Sequence, residues 1–177
     1  SLLVIGFNII KVPYDKGANR QGSCFFPNEL EKYITPEKSI TVDLKDELTE
    51  MFSDTFYKIR KSLEDDSFTV TVGGDHTVAI PSIFSSNEYC KKHNETLGIL
   101  WLDAHVDFNT METSPSKNLH GMPVAVLCGH TLPELQQGTF LCTSQFAFYG
   151  IRDLDTLEFN RFQRHDMQVL HTFYQIE

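Results

Sequence analysis

The sequence predicts an α/β fold, a mostly parallel sheet with helices on both faces in three layers, formed as a single domain over residues 1–177. Short apolar or β-branched runs alternate with longer stretches of helical spacing. The run Leu97 to Leu102 is too short for a helix and lacks alternation, as in a strand buried on both faces. Three polar clusters, Gly74-Asp75-His76, Asp103 to Asp107 and Arg152 to Asp155, each follow such a run, and function collects beyond the carboxyl ends of strands in sheets of this kind.

Taken in order, Leu2 to Phe7 reads as the first strand. A loop from Pro13 to Gly22 comes next, where Gly17 and Gly22 free the backbone to fold tightly. Pro27, with Glu29 and Glu31 behind it, predicts a short helix starting near Asn28. Thr35 to Ser39 is linker-like. Leu48, Met51, Phe52, Phe56, Ile59 and Leu63 recur at helical spacing, so Asp46 to Leu63 is a helix, ended by Asp65-Asp66-Ser67. Phe68 to Val72 is a strand running into Gly73-Gly74-Asp75-His76, and Thr77 to Phe84 is a helix. After the Leu97–Leu102 strand, His120 to Leu127 opens another helix. Phe146 to Ile151 is a strand, about Thr156 to Arg164 a helix, and Val169 to Phe173 a last strand; the alternating phenylalanines from 140 to 148 read as core. No repeat, low-complexity tract or second-domain boundary interrupts this pattern.

Composition is that of a globular domain, 41% hydrophobic and 12% aromatic. A formal charge of -9 with no Lys/Arg cluster argues against nucleic acid as a partner. The opening SLLVIGFNII is too short to span a membrane and lacks the basic segment of a signal peptide. It also lacks a starting Met, which leads to the expectation that the chain begins inside a longer protein. Cys24, Cys90, Cys128 and Cys142 share no metal-ligand spacing and read as reduced, cytoplasmic thiols.

The chemistry is expected at the end of the central strand. At a period of two, Asp103, His105 and Asp107 point the same way just where that strand runs out. Two carboxylates and an imidazole aimed at one point are costly unless a cation sits among them. The mixed oxygen and nitrogen set suits a borderline divalent ion such as Mn²⁺. Plainer readings stay open residue by residue. His76 serves equally as a turn histidine under a helix, Asp75 and Asp155 as helix caps, His120 as a helix N-terminal residue, and Asn109 and Ser116 as loop residues.

GGDH, DAHVD and SKNLHGMP, in this order and at this spacing, resemble the motifs of the ureohydrolase (arginase/agmatinase) family. Asn109 to Gly121 and the later GIRDLD are similar to its arginase branch, and the likeness covers nearly the whole chain, more loosely before Phe68. The resemblance implies two Mn²⁺ ions per site: His76 and Asp107 on the first, His105 on the second, Asp103 bridging both. It implies that Asn109 and Ser116 hold the α-carboxylate of L-arginine, that Asp155 holds its α-amino group with Glu158 as an outer contact, and that His120 shuttles protons. Asp107 counts as catalytic as well as metal-binding. A bridging water activated by the ions would attack the guanidinium carbon, giving ornithine and urea. The resemblance further implies a cytoplasmic homo-oligomer, commonly a trimer.

The family also has a later strand ending in SxDxDxxDP, whose two aspartates complete the metal site, and an acidic residue nearer its C-terminus; neither occurs before Glu177. The ligands present here leave two divalent ions short of negative charge, so the expectation is that the protein either continues past Glu177 or is truncated there and relies on something else. The absent strands are expected inside the sheet, so that this span alone has open edges and uncovered apolar surface. In the N-terminal loop, Phe26-Pro27 stands where the family has Gly-Pro. Two other readings draw on the same residues. One is a non-catalytic, arginase-like binding or regulatory protein with an incomplete metal site. The other is a sister ureohydrolase acting on another guanidino compound.

Overall fold

The computed structural model describes residues 6–172. Six strands, β1 (Phe7–Val12), β2 (Lys38–Thr41), β3 (Phe68–Gly73), β4 (Ile99–Leu102), β5 (Phe146–Ile151) and β6 (Gln168–Thr172), alternate with helices α1 (Phe26–Glu31), α2 (Leu48–Glu64), α3 (Ala79–Lys92), α4 (Pro123–Leu127) and α5 (Thr156–Phe162). All pairings are parallel, as strands joined through helices require. The expected single sheet is two: three strands in the order β2-β1-β3 and three in the order β4-β5-β6. Among the described residues β3 and β4 each keep one edge without a strand partner. One side of the second sheet is also uncovered, with Leu100 58%, Leu102 68% and Leu170 59% exposed. The open edges and bare apolar surface agree with the expectation for this span; burial of β4 on both faces does not, since only Trp101 is well covered.

Several elements fall away from their expected places for local physical reasons. The first strand lies at Phe7–Val12, while the expected stretch from Leu2 falls, as far as Ile5, outside the described residues. Its interior holds Asn8 and Lys11, which a reading by hydropathy rejects. Asn8 donates to the Ser62 hydroxyl on α2 at 3.0 Å, and Lys11 reaches Asn28 at 3.0 Å, so the donor of each buried side chain has a partner. The linker-like stretch ends in β2, an edge strand that pairs Ile40 with Ile10. Helix α3 runs on to Lys92 and is preceded by a 3₁₀ turn, His76–Val78. His120 sits in a second 3₁₀ turn, Leu119–Gly121, and the helix begins only at Pro123. Phe140 is half-exposed, whereas Phe146 and Phe148 are core. The last strand begins one residue early, and Phe173 lies outside the described residues.

The core gives the strand ends a rigid base. Helix α2 buries Met51, Phe52, Thr55, Ile59 and Ser62, a stripe at helical spacing, against β1 and α3. Ile9, Ile10, Phe52, Ile80, Phe84, Phe108, Phe146 and Phe148 are fully buried. The loops beyond Val12, Gly73, Leu102 and Ile151 all leave carboxyl ends of strands, and the polar clusters ride on them.

Candidate metal and substrate site

The strand β4 stops at Leu102, so Asp103, His105 and Asp107 do not extend it at a period of two. The chain bends at Asp103 and Asp107 takes a left-handed φ of 48°. A non-glycine residue is rarely found there, and here the neighbours hold it. The Asp107 carbonyl accepts from Val124 N at 3.0 Å, and the next N–H, of Phe108, donates to Glu158 Oε1 at 2.9 Å. Phe108 itself is fully buried. The turn aims the Asp107 carboxylate back at His76, which arrives from the end of β3. His76 Nδ1 lies 2.7 Å from Asp107 Oδ2 and 3.3 Å from Asp103 Oδ2. Ligand atoms of His76, Asp103 and Asp107 all fall within 4.8 Å of one another.

His105 stands on the far side of Asp103. Its Nδ1 is 3.2 Å from Asp103 Oδ1 and its Nε2 is 3.2 Å from Asp153 Oδ2, so Asp103 faces both imidazoles. The structure thus brings three of the four expected ligands into one group and places the fourth against the shared carboxylate. The imidazole of His76 also stacks on Trp101, with ring centroids 4.5 Å apart.

The electrostatics arise from crowded carboxylates. Burial works against charge on His76, but hydrogen bonds to Asp103 and Asp107 outweigh it and lift its pKa to about 9. Burial likewise works against the Asp103 anion, yet His76 and the His105 N–H hold it down at about 2. For Asp107, burial wins and its pKa is raised. His105 is held above its ordinary value by Asp153 and Asp103 against the effect of burial. A proton on His76 therefore occupies the position of a cation between carboxylates, and hard oxygen donors with borderline imidazoles fit a divalent ion such as Mn²⁺ in its place.

These groups line a cavity of about 350 Å³ together with Asn109, Ser114, Ser116, His120, Gly121, Asp153, Asp155 and Glu158. Every residue singled out in the sequence as a site candidate lies on it. Asp155 occupies the N-cap position of α5 but does not cap with its side chain; it accepts from Asn109 Nδ2 at 3.1 Å instead. Thr113 Oγ1 donates to Asn109 Oδ1 at 2.9 Å, which fixes the amide's orientation. Glu158 is buried, and desolvation raises its pKa to about 7 despite the Phe108 N–H and with Asp107 and Asp155 adding repulsion. Ser114 and Asp153 were not among the expected residues. The spacing of two between Asp153 and Asp155 is a signal that could have found the first; Ser114 offers none beyond its loop.

Comparison with known proteins adds ancestry to this geometry. The family model described as "Arginase family" matches residues 6–176. An arginase of Staphylococcus aureus strain COL is 31% identical over 157 residues, covering 88% of this chain and 49% of that protein. An arginase of Bacillus subtilis is 47% identical over 72 residues, 41% of this chain and 23% of its own length. The crystal structure of arginase from Bacillus subtilis superposes with a TM-score of 0.80 at 28% identity, covering 94% of this chain and 63% of that one. That of Bacillus caldovelox arginase gives 0.78 at 26% identity, covering 96% and 65%. The chain spans about half the length of the Staphylococcus relative, 49%.

Proposed function

The chain belongs to the arginase family, and from that premise we propose that the whole protein hydrolyses the guanidinium group of L-arginine to L-ornithine and urea with two Mn²⁺ ions per site. The observation that carries the reading is the cavity itself. Its base holds His76, Asp103 and Asp107 within 4.8 Å of one another, and its wall adds the carboxylates of Asp153, Asp155 and Glu158. Such a lining suits a cationic substrate and metal cations together, and a neutral or anionic one poorly.

His76 and Asp107 would hold one ion and His105 the other, with Asp103 between them. Bound there, Mn²⁺ supplies Lewis acidity and a hydroxide at neutral pH, which a resonance-stabilised guanidinium needs. The chain's own residues do the rest. The Asn109–Asp155 pair and Ser116 present an amide, a carboxylate and a hydroxyl to an α-amino-acid head group, with Glu158 behind them. His120 lies on the cavity wall, where its imidazole carries the proton that the departing ornithine amine requires.

We further propose a cytoplasmic homo-oligomer, in keeping with four free thiols; among the described residues no helix is long and apolar enough to cross a membrane. A non-catalytic binding role draws support from the donor count, since among the described residues a single group of three ligands is a sparse setting for two ions. Urea release decides between the readings. The Mn²⁺-loaded protein is given L-arginine, then agmatine, before and after chelation. Chelator-sensitive urea from L-arginine alone is expected, lost in Asp103→Ala and His105→Ala. Undiminished activity in either variant refutes the metal assignment, preference for agmatine moves the enzyme to a sister specificity, and metal binding without urea supports the binding role.

A further inference from the structure

The loop from Pro13 to Gly22 belongs to none of the roles above, yet it is tied down at both halves by buried or half-buried carboxylates. Asp15 accepts from Gly22 N at 2.6 Å and from Cys24 N at 3.2 Å. Asp75, the residue before His76, accepts from Gly17 N at 2.8 Å with one oxygen and from Thr77 N at 2.8 Å with the other. The Asp75 N–H in turn donates to Tyr14 O at 3.0 Å. From this strap a backbone bond leads onward: His120 N donates to Gly17 O at 3.2 Å.

At Gly17 an added side chain would crowd the groups that hold the junction. A Cβ there would lie 2.0 Å from Thr77 Oγ1 and 3.0 Å from Asp75 Oδ2, and Thr77 is fully buried. The close approach brings its N–H onto Asp75 while its carbonyl faces His120. Asp75 therefore has two separable duties. Toward Thr77 it caps the 3₁₀ turn that begins with His76; toward Gly17 it fixes the N–H of the residue whose carbonyl holds the turn Leu119–Gly121.

We propose that Asp75 and Gly17 are positioning residues, which set His120 on the cavity wall by tethering its backbone to the turn that carries His76. The inference rests on the arginase reading of His120 as the proton carrier. It makes the N-terminal loop part of the site's framework without giving it any contact with substrate.

Asp75→Asn separates the duties, because asparagine caps as well as aspartate but offers an amide where the Gly17 N–H needs an acceptor. The test uses the full Mn²⁺-loaded protein and measures amide hydrogen exchange at His120, bound Mn²⁺, the thermal midpoint, and kcat and KM for urea release. In Asp75→Asn, exchange at His120 is expected to quicken by roughly tenfold, as for loss of a hydrogen bond to a charged group. Bound Mn²⁺ and KM hold while kcat falls. Gly17→Ala behaves alike, and Gly17→Ala with Thr77→Ala regains slower exchange because the nearest overlap is gone. Unchanged exchange at His120, acceleration spread evenly over the chain, or faster exchange with kcat intact each overturns the proposal. If the unaltered protein releases no urea, the arginase reading fails, and with it the assigned purpose of the tether; the exchange data still decide whether the tether exists.

Discussion

Glu158→Gln is expected to stabilise the protein at neutral pH even though it alters the site. Glu158 is 3% exposed, and its pKa is raised from 4.5 to about 7 by burial, with the Phe108 N–H acting the other way. Below pH 4.5 both the folded and unfolded chains carry the proton, and the group costs nothing. Between 4.5 and about 7 the unfolded chain ionises while the folded chain does not, so stability falls as pH rises and stays low above that window. At 1.36 kcal/mol per unit, the loss is about 3 kcal/mol. Glutamine keeps an acceptor for the Phe108 N–H and cannot ionise, so the variant escapes the loss. Thermal unfolding of both proteins by circular dichroism from pH 5 to 8.5 is the assay. The midpoints should nearly coincide at the acid end and separate in favour of the variant by roughly 6–12 °C at the alkaline end, using about 2–4 °C per kcal/mol for a chain of this size. A difference independent of pH, or one favouring the native glutamate above pH 7, would falsify the account of Glu158 as a desolvated acid. Stability given up at a functional carboxylate is a common trade, and a fall in urea release beside the gain would place Glu158 in it.

Metal binding and one glycine provide two further checks. Because His76 is lifted to about 9, loading with Mn²⁺ at pH 7 must displace its proton. Calorimetry in buffers of different ionisation enthalpy should report close to one proton released for each ion bound at His76, and no release would remove His76 from the ligands. Gly74→Ala places a Cβ 2.5 Å from Tyr14 O and 2.9 Å from Cys24 N, both backbone atoms that cannot step aside. It should destabilise by roughly 1–3 kcal/mol, and a thermal midpoint equal to that of the native protein would show that the loop yields freely.

What could be read from residues alone was whatever is local. Apolar spacing located α2, β3 and β5, and four short motifs located most of the cavity lining. Register and partnership were hidden. Asn8 and Lys11 sit in β1 because Ser62, Asn28 and Glu31 receive them from elements far along the chain, and no local pattern records that. Strand β2 has a single half-buried apolar residue, Ile40, so its sequence looks like a linker until β1 pairs with it. The ligands of the DAHVD segment converge, but by a left-handed turn at Asp107 that the Phe108 anchor imposes, not by strand alternation. The same anchor explains Glu158, whose burial depends on a helix folding back over residues fifty positions earlier.

Trp101 is the sole tryptophan of the 177 residues, and its indole stacks on the His76 imidazole with 29° between the ring planes. Emission excited at the red edge of the absorption band therefore originates at one place, a ring's thickness from a metal-binding side chain. Charge on that imidazole, or an ion in its place, is felt by the indole's excited state directly. The chain carries a built-in optical probe of its own site, and occupancy can be followed in solution with no label attached.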